Sequence, residues 1–255
     1  MEVINGEFFM KGCGREDPCC LHSAAEAKEL ILEAGFLPLF ENGAAGFSVE
    51  ERVPAANWWT GDHEGDPWEW RMILARDPEI VYGKFFDKKA GFISREWFPE
   101  FANYRRNGYD FDALWEDELA SRRMKRIMDV FGTEESVSEA HTGQAFLSFE
   151  LKELAGFGKG GEKNFEGVLT DLQMHTYLVM CDFRQKVNRK GQPYGWHIAA
   201  LEMPETKWGY AHVTSCYHKD PEESLDGIRE QAARFFPEAD REYLRKALAL
   251  RRSGR

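Results

Sequence analysis

The organisation of the chain is clearest in residues 148–200, which read SFELKELAGFGKGGEKNFEGVLTDLQMHTYLVMCDFRQKVNRKGQPYGWHIAA. A short predicted helix from Glu150 to Leu154 is followed by a glycine-rich turn and by a second predicted helix from Glu162 to about Met174. Beyond that helix the apolar residues recur at every second position, which predicts a strand. The polar run Gln185 to Gln192 then predicts a hairpin tip, and Tyr194 to Leu201 predicts the returning strand.

Helix, helix, strand, tip and strand is the chain order of the second half of a winged helix-turn-helix, in which the second helix usually reads a DNA groove. The tip is then the wing. An earlier predicted helix, Glu118 to Phe131, carries apolar residues at helical spacing and basic residues elsewhere, so it can complete a three-helix core. The predicted fold class is therefore α+β, with a winged helix-turn-helix core.

The N-terminal part predicts an α/β half that contains a β-hairpin and aromatic-rich helices. Ser23 is placed to cap a helix that ends at Gly35, and Asp66 followed by Pro67 opens another. Glu79 to Phe86 and Gly91 to Ser94 predict the hairpin. Four segments result: an N-terminal arm (residues 1–22), the aromatic-rich half (23–115), the winged helix-turn-helix (116–203) and two C-terminal helices (204–255). We expect residues 109–115 to be extended, residues 133–144 to form a polar loop and residues 208–217 to be a connection.

Composition limits the class of protein. The 255 residues are 43% hydrophobic and 14% aromatic, enough for a sizeable core. No window resembles a membrane span or a secretory leader, and five cysteines do not suggest a disulfide framework, so we expect a cytoplasmic protein with reduced thiols and no membrane partner. A formal net charge of -11 argues against unspecific coating of nucleic acid but allows a local basic patch.

Two of the three basic clusters fall within the predicted winged helix, which favours DNA as a partner. A charged hairpin and a charged helix face are also common for solvation alone, so this alternative stays open. The glycine-rich turn Gly156 to Gly161 can likewise hold a backbone phosphate or simply connect two helices. The candidate nucleic-acid-binding residues are Arg122, Arg123, Arg126, Lys159, Lys163, Arg189 and Lys190.

Half of the eight tryptophans lie between residues 58 and 70, interleaved with carboxylates. One interpretation is core packing. The other is a pocket in which Trp58 and Trp59 stack on an extruded base while a carboxylate lies at the reacting atom.

The motifs that carry a family resemblance are GFLPLF, GFSVEE, WWTGD, DPWEWR, YGKFFDKKAGFIS, FANYRRNGYDFD, LAGFGKGGEKNFEGVLTDLQM and YGW. With them the chain resembles a bacterial family described as AlkZ-related, from Gly35 to about Tyr217. Its predicted core is similar to that of the AlkZ-type DNA glycosylases, which excise alkylated or cross-linked bases. The resemblance implies a DNA glycosylase-like role in DNA repair without a cofactor. Those enzymes carry a Gln-x-Gln pair that positions water, and this chain has none, so catalysis does not carry over.

If the protein excises bases, it needs a carboxylate or amide that orients water beneath the glycosidic carbon. The candidates are Asp62, Asp66, Gln173 and His175, although a histidine between a helix and a strand is more often a structural hydrogen-bonding group. The sequence contains no Walker loop, nucleophile elbow, HExxH or dinucleotide fingerprint. A zinc site is not predicted, because the metal-ligand types near the N-terminus, Cys13, Cys19, Cys20 and His22, lack Cys-x2-Cys spacing.

Two hypotheses remain. The first is a winged-helix DNA-binding protein, with or without glycosylase-like activity. The second is a non-catalytic interaction module that uses the same fold to bind a protein. A helix at 162–174 whose outer face is acidic, or is buried by the N-terminal half, would remove the main support of the first.

Overall fold

The computed structural model describes residues 2–4, 7–132, 145–188 and 190–250. The fold is mixed α+β. Strands β1 and β2 pair by themselves at the N-terminus, and the other strands form one six-stranded antiparallel sheet. The strands are β1 Glu2–Ile4, β2 Glu7–Phe9, β3 Phe36–Pro38, β4 Ile80–Phe86, β5 Lys89–Ser94, β6 Phe146–Leu147, β7 Val179–Val187 and β8 Pro193–Glu202. The large sheet has the order β3-β5-β4-β7-β8-β6, so the N-terminal hairpin and the predicted wing share it.

The helices surround this sheet, and several of them start at capping residues that the sequence shows. Ser23 Oγ accepts a hydrogen bond from the Glu26 amide at 3.2 Å, and Gly35 with φ of 91° ends that helix, as predicted. The predicted start at Asp66 and Pro67 is also confirmed. The helices are α1 Ala24–Ala34, α2 Pro67–Arg76, α3 Phe98–Arg106, α4 Phe111–Glu116, α5 Arg122–Met128, α6 Ser148–Leu154, α7 Phe165–Met174, α8 Pro204–Trp208, α9 Tyr210–Val213, α10 Pro221–Phe235 and α11 Arg241–Leu248.

Apolar side chains form two cores. The first is built from α1, β3, β4, β5, α2 and α3 and is covered by α10 and α11. The second lies among α4, α5, α6 and α7 and the sheet strands beside them. Met180 on β7 packs against both cores and is paired in register with Tyr82 on β4. The two halves of the chain therefore meet inside one sheet.

Two buried arginines at the end of α3 join the cores. The Arg105 guanidinium donates to the carbonyl oxygens of Met174 at 3.1 Å, Phe85 at 2.6 Å and Leu248 at 3.5 Å. Two of these carbonyls belong to the last residues of α7 and α11, where the helix dipole favours a cation. Burial still lowers the pKa of Arg105 to about 9. Arg106 donates to the Thr176 carbonyl at 2.7 Å and pairs with Glu205.

Several sequence expectations need correction or lie outside the described residues. Residues 109–115 were expected to be extended but contain most of α4, because the Asp110 carboxylate caps the Ala113 amide at 2.8 Å. The expected connection at 208–217 contains α9. The loop predicted at 133–144 lies outside the described part of the chain. The four-segment division stays a prediction, although the C-terminal helices pack on the first core.

Candidate nucleic-acid interface

Helix α5 displays basic side chains beside the glycine-rich turn. Ile127 and Met128 are buried in the second core, which leaves Arg122 and Arg123 exposed on the outside. Arg123 and Arg126 share the Glu162 carboxylate, with nitrogen to oxygen distances of 3.1 and 3.9 Å. A groove of about 830 Å³ adjoins this helix and is lined in part by Arg122, Lys125, Arg126, Trp115 and Leu154. Part of the predicted basic surface is therefore neutralised by Glu162.

The glycine-rich turn supports the interpretation of a connector between two helices. Gly156, Gly158 and Gly160 have φ values of 74°, 139° and 82°, which a side chain rarely tolerates. The amides of Gly158 and Gly161 bond to carbonyls within the turn, and the Glu162 amide bonds to the Gly156 carbonyl at 3.0 Å. These amides are therefore not available to a phosphate. Lys159 and Lys163 nevertheless extend into solvent from the turn.

Hairpin β7–β8 carries the most uniformly basic surface. Residues 183–201 contain four lysines and arginines and no aspartate or glutamate. Lys186 and Lys190 are exposed, and Lys186 lies over the Phe149 ring at 4.7 Å. Arg189 lies outside the described residues. The hairpin tip is thus a cationic projection from an acidic protein.

At the base of the hairpin Arg184 is already paired. Its Nε donates to Asp182 at 2.7 Å, and Arg76 donates to the same carboxylate at 2.6 Å. Burial acts to raise the pKa of Asp182, but the bonds from Arg184 and Arg76 outweigh it and hold the pKa below its usual value. The lysines nearer the tip are therefore the stronger candidates for phosphate contacts.

Sequence reasoning missed two exposed aromatic residues on this hairpin. Trp196 is 80% exposed and Tyr194 is 51% exposed. Both lie on β8 next to a register shift opposite Gln185. The sequence did contain an indication of this exposure. The motif Tyr194-Gly195-Trp196 places a glycine within the strand, which interrupts the alternation of apolar and polar residues.

Helix α7 is acidic and is covered by the N-terminal half, so it is not free to read a groove. This corrects the sequence expectation and removes the helix as support for DNA binding. Seven of its ten residues are buried, and it contains two acidic and no basic residues. Its C-terminal half lies against hairpin β4–β5. There the Lys84 side chain donates to Thr170 Oγ1 at 3.2 Å, and the Lys88 amide donates to Met174 Sδ at 3.3 Å. Glu166 is its exposed charged residue, and it would repel phosphate.

Gln173 and His175 are committed to structural bonds. Gln173 is 1% exposed, and its amide accepts from the Lys84 backbone at 3.1 Å and donates to the Leu169 carbonyl at 3.2 Å. His175 Nδ1 lies 2.8 Å from the Asp171 carbonyl, so the neutral ring donates there. Burial lowers the pKa of His175, although this hydrogen bond opposes the shift. The structural interpretation of His175 is the one that the geometry supports.

The two aspartates lie in the aromatic loop and do not meet Gln173. Asp66 is fully buried, and its carboxylate accepts from the amides of Trp59 at 3.1 Å, Gly61 at 3.0 Å and Trp68 at 2.8 Å. Asp62 is exposed and accepts from the Glu64 amide at 3.1 Å. Neither the geometry nor the burial assembles a water-activating site from the four predicted residues.

The predicted stacking pair is divided between core and surface. Trp58 is 5% exposed and stacks on Phe40 at a centroid distance of 5.8 Å, so it cannot receive a base without unpacking the first core. Trp59 is 39% exposed and adopts a φ of 60°. It lies 6.4 Å from the Trp68 ring. The expectation of a two-tryptophan clamp is therefore wrong for Trp58.

A protein-family model described as AlkZ related matches residues 21–249, nearly the whole chain. The chain belongs to the AlkZ-related family. The match includes α5, α7 and hairpin β7–β8, so every surface described above lies within the AlkZ-related region. No curated protein and no solved structure matches the chain.

Two further properties of this AlkZ-related protein concern metals and membranes. Within residues 2–4, 7–132, 145–188 and 190–250, no three histidine, cysteine or acidic side chains are grouped to hold a metal ion. Near the N-terminus, burial raises the pKa of the Cys13 thiol to about 12, and a hydrogen bond with Cys20 adds to the shift. In the same described ranges no helix is both long and apolar enough to cross a bilayer.

Proposed function

We propose that this AlkZ-related protein binds DNA through hairpin β7–β8, with α5 and the exposed side chains of Lys159 and Lys163 as flanking contacts. The order α5, β6, α6, α7, β7, β8, together with the strand order β7-β8-β6, supports a winged-helix core at residues 116–203. In this proposal the wing contacts DNA, and α7 has the structural role of joining the core to the N-terminal half.

The observation that carries the proposal is the charge of the hairpin. Binding of a phosphate backbone requires lysine or arginine side chains that face it, and each contact releases counterions. The hairpin concentrates such side chains at exposed positions, whereas the chain as a whole has a net charge of -11. A local cationic surface on an acidic body favours binding in one orientation over general coating of DNA.

The family relation supports a role in DNA repair. We assign no step of base excision to Asp62, Asp66, Gln173 or His175, because each is engaged in a hydrogen bond within the fold. The two aspartates also lie in a different segment of the chain from Gln173 and His175. The protein is thus proposed to recognise DNA. Incubation of the protein with alkylated duplexes, followed by detection of abasic sites, tests whether any of these four residues takes part in base excision. Formation of abasic sites that is abolished by Asp62→Asn would contradict the assignment of no catalytic step.

Salt-dependent binding tests the interface. Lys186→Ala with Lys190→Ala should reduce the slope of log affinity against log salt concentration by roughly 2, because each lysine contributes about one released counterion. Fluorescence anisotropy with a labelled intact duplex between about 50 and 200 mM salt provides the measurement.

A matched control is Arg241→Ala with Lys246→Ala on α11, where both side chains are exposed and the same two positive charges are lost. The control should leave the slope unchanged. An unchanged slope in the hairpin variant, or an equal fall in both variants, would contradict contact through the hairpin.

A further inference from the structure

Two exposed aromatic residues of the hairpin, Tyr194 and Trp196, lie outside both apolar cores. Trp196 is the most exposed large apolar side chain in the described part of the chain, and Tyr194 is half-exposed two positions before it. Burial of an aromatic side chain removes a large apolar area from water. In Trp196 most of this area is exposed to solvent. Exposed aromatic residues that cluster on one element suggest a binding surface.

A β-bulge positions Trp196. The register passes from Arg184 opposite Ile198 to Lys186 opposite Tyr194, so three residues of β8 face Gln185 alone. The bulge is held by Gly195, with φ of 75°, and by a 2.9 Å hydrogen bond from Gln185 Nε2 to the Gly195 carbonyl. Bulges of this kind redirect side chains next to functional sites. The pairing of β7 with β8 therefore determines the position of the Trp196 indole.

The chemistry around these rings selects an anionic, planar partner. Lys186 is paired in register with Tyr194, and Lys190 lies at the tip, with no carboxylate between residues 183 and 201. Aromatic rings flanked by cations bind single-stranded nucleic acid by stacking on bases while the cations contact phosphates. In an intact duplex the base faces are already stacked, whereas a base in a gap has a face to offer.

We propose that Trp196, assisted by Tyr194, is a stacking platform for unpaired nucleobases, so that the hairpin prefers gapped DNA to intact duplex. This inference rests on the proposed function, DNA binding through the hairpin. It adds the class of DNA that the protein selects, and it assigns that selectivity to Trp196.

The test compares anisotropy titrations of an intact duplex and of the same duplex with a short gap. Wild-type protein should bind the gapped DNA more tightly. Trp196→Ala should weaken gapped binding roughly tenfold, which is within the range for one stacked base, and should change intact-duplex binding less than about twofold. Trp196→Phe should retain most of the preference because it keeps an aromatic face.

Val187→Ala is the matched control, since it removes another exposed apolar side chain from the same hairpin. It should leave the gap preference intact. Equal wild-type affinity for both DNAs, or equal effects of Trp196→Ala and Val187→Ala, would overturn the platform and indicate that the aromatic residues serve another class of partner. Lysine-dependent duplex binding would in that case still support the proposed function, whereas failure to bind either DNA would overturn both.

Discussion

Helix α7 and hairpin β7–β8 are separated by only residues 175–178, yet they present opposite surfaces. The helix is mostly buried, and its exposed charge is acidic. The hairpin has no carboxylate from residue 183 to 201, and its outer part, residues 184–197, is basic and mostly exposed where the structure describes it. Element order alone suggests the helix as the DNA-binding element. Charge and burial indicate instead that the hairpin is the element available to a polyanion.

Strand pairing in the large sheet explains why α7 is buried while the outer part of the hairpin is exposed. Strand β4 pairs with β7 through Tyr82 and Met180, which brings hairpin β4–β5 alongside α7 and hairpin β7–β8. The Lys84 backbone and side chain then bond to Gln173 and Thr170 on α7. The N-terminal half thereby covers the helix surface that an isolated winged helix would leave open. The tip of hairpin β7–β8 extends beyond this contact.

The largest effect that this comparison predicts is on stability. Leu172→Ala removes a fully buried side chain from α7 and should lower the free energy of unfolding by about 2–5 kcal/mol. Trp196→Ala on the hairpin should change it by less than about 0.5 kcal/mol, because the indole is exposed. Urea denaturation followed by circular dichroism measures both. Similar losses in the two variants would remove the distinction between a structural helix and an exposed hairpin.

A smaller effect concerns pH. The folded-state pKa of His175 is lowered by burial, so the unfolded chain takes up a proton first as the pH falls through about 6.5. Stability from the neutral ring is therefore present above that pH and decreases below it. His175→Asn removes the titrating group, and its free energy of unfolding should depend less on pH between about 5 and 7 than that of the wild type.

Urea titrations across this pH window measure the difference between His175→Asn and the wild type. A variant that is as sensitive to acid as the wild type would argue against a partly buried neutral ring at the end of α7. A variant that also loses DNA binding while remaining folded would indicate that His175 acts at the interface instead.

Local patterns predicted much of the fold. The change from helical to alternating periodicity near Met174 located α7 and β7, and the caps at Ser23 and Asp66 located α1 and α2. The pairing of β4 with β7 depends on contacts about a hundred residues apart, and no local pattern encodes it. The packing of hairpin β4–β5 on α7 was therefore not predictable in detail. The absence of lysine and arginine from residues 165–174 nevertheless argued against DNA binding by this helix.

The exposure of the candidate lysines could be predicted from the sequence, whereas their contact with DNA stays a prediction. Lys159, Lys163 and Lys190 are exposed as expected, because charged residues in turns and tips face water. The structural hydrogen bonds of the catalytic candidates could not be predicted, because residue type does not reveal how a polar group is used. Asp66 and Gln173 have suitable chemistry, but the folded chain uses them for a cap and a backbone contact. Trp196 was missed because tryptophan is usually assigned to a core.

The central claim is that the hairpin, and not α7, faces DNA, and a matched addition of positive charge tests it most directly. Val187→Lys on the hairpin and Glu166→Gln on α7 each change the net charge by one at an exposed position. Anisotropy titrations with intact duplex at several salt concentrations should show tighter binding and a salt slope larger by about one for Val187→Lys, with no change for Glu166→Gln. The reverse result, with a gain for Glu166→Gln and none for Val187→Lys, would contradict the account.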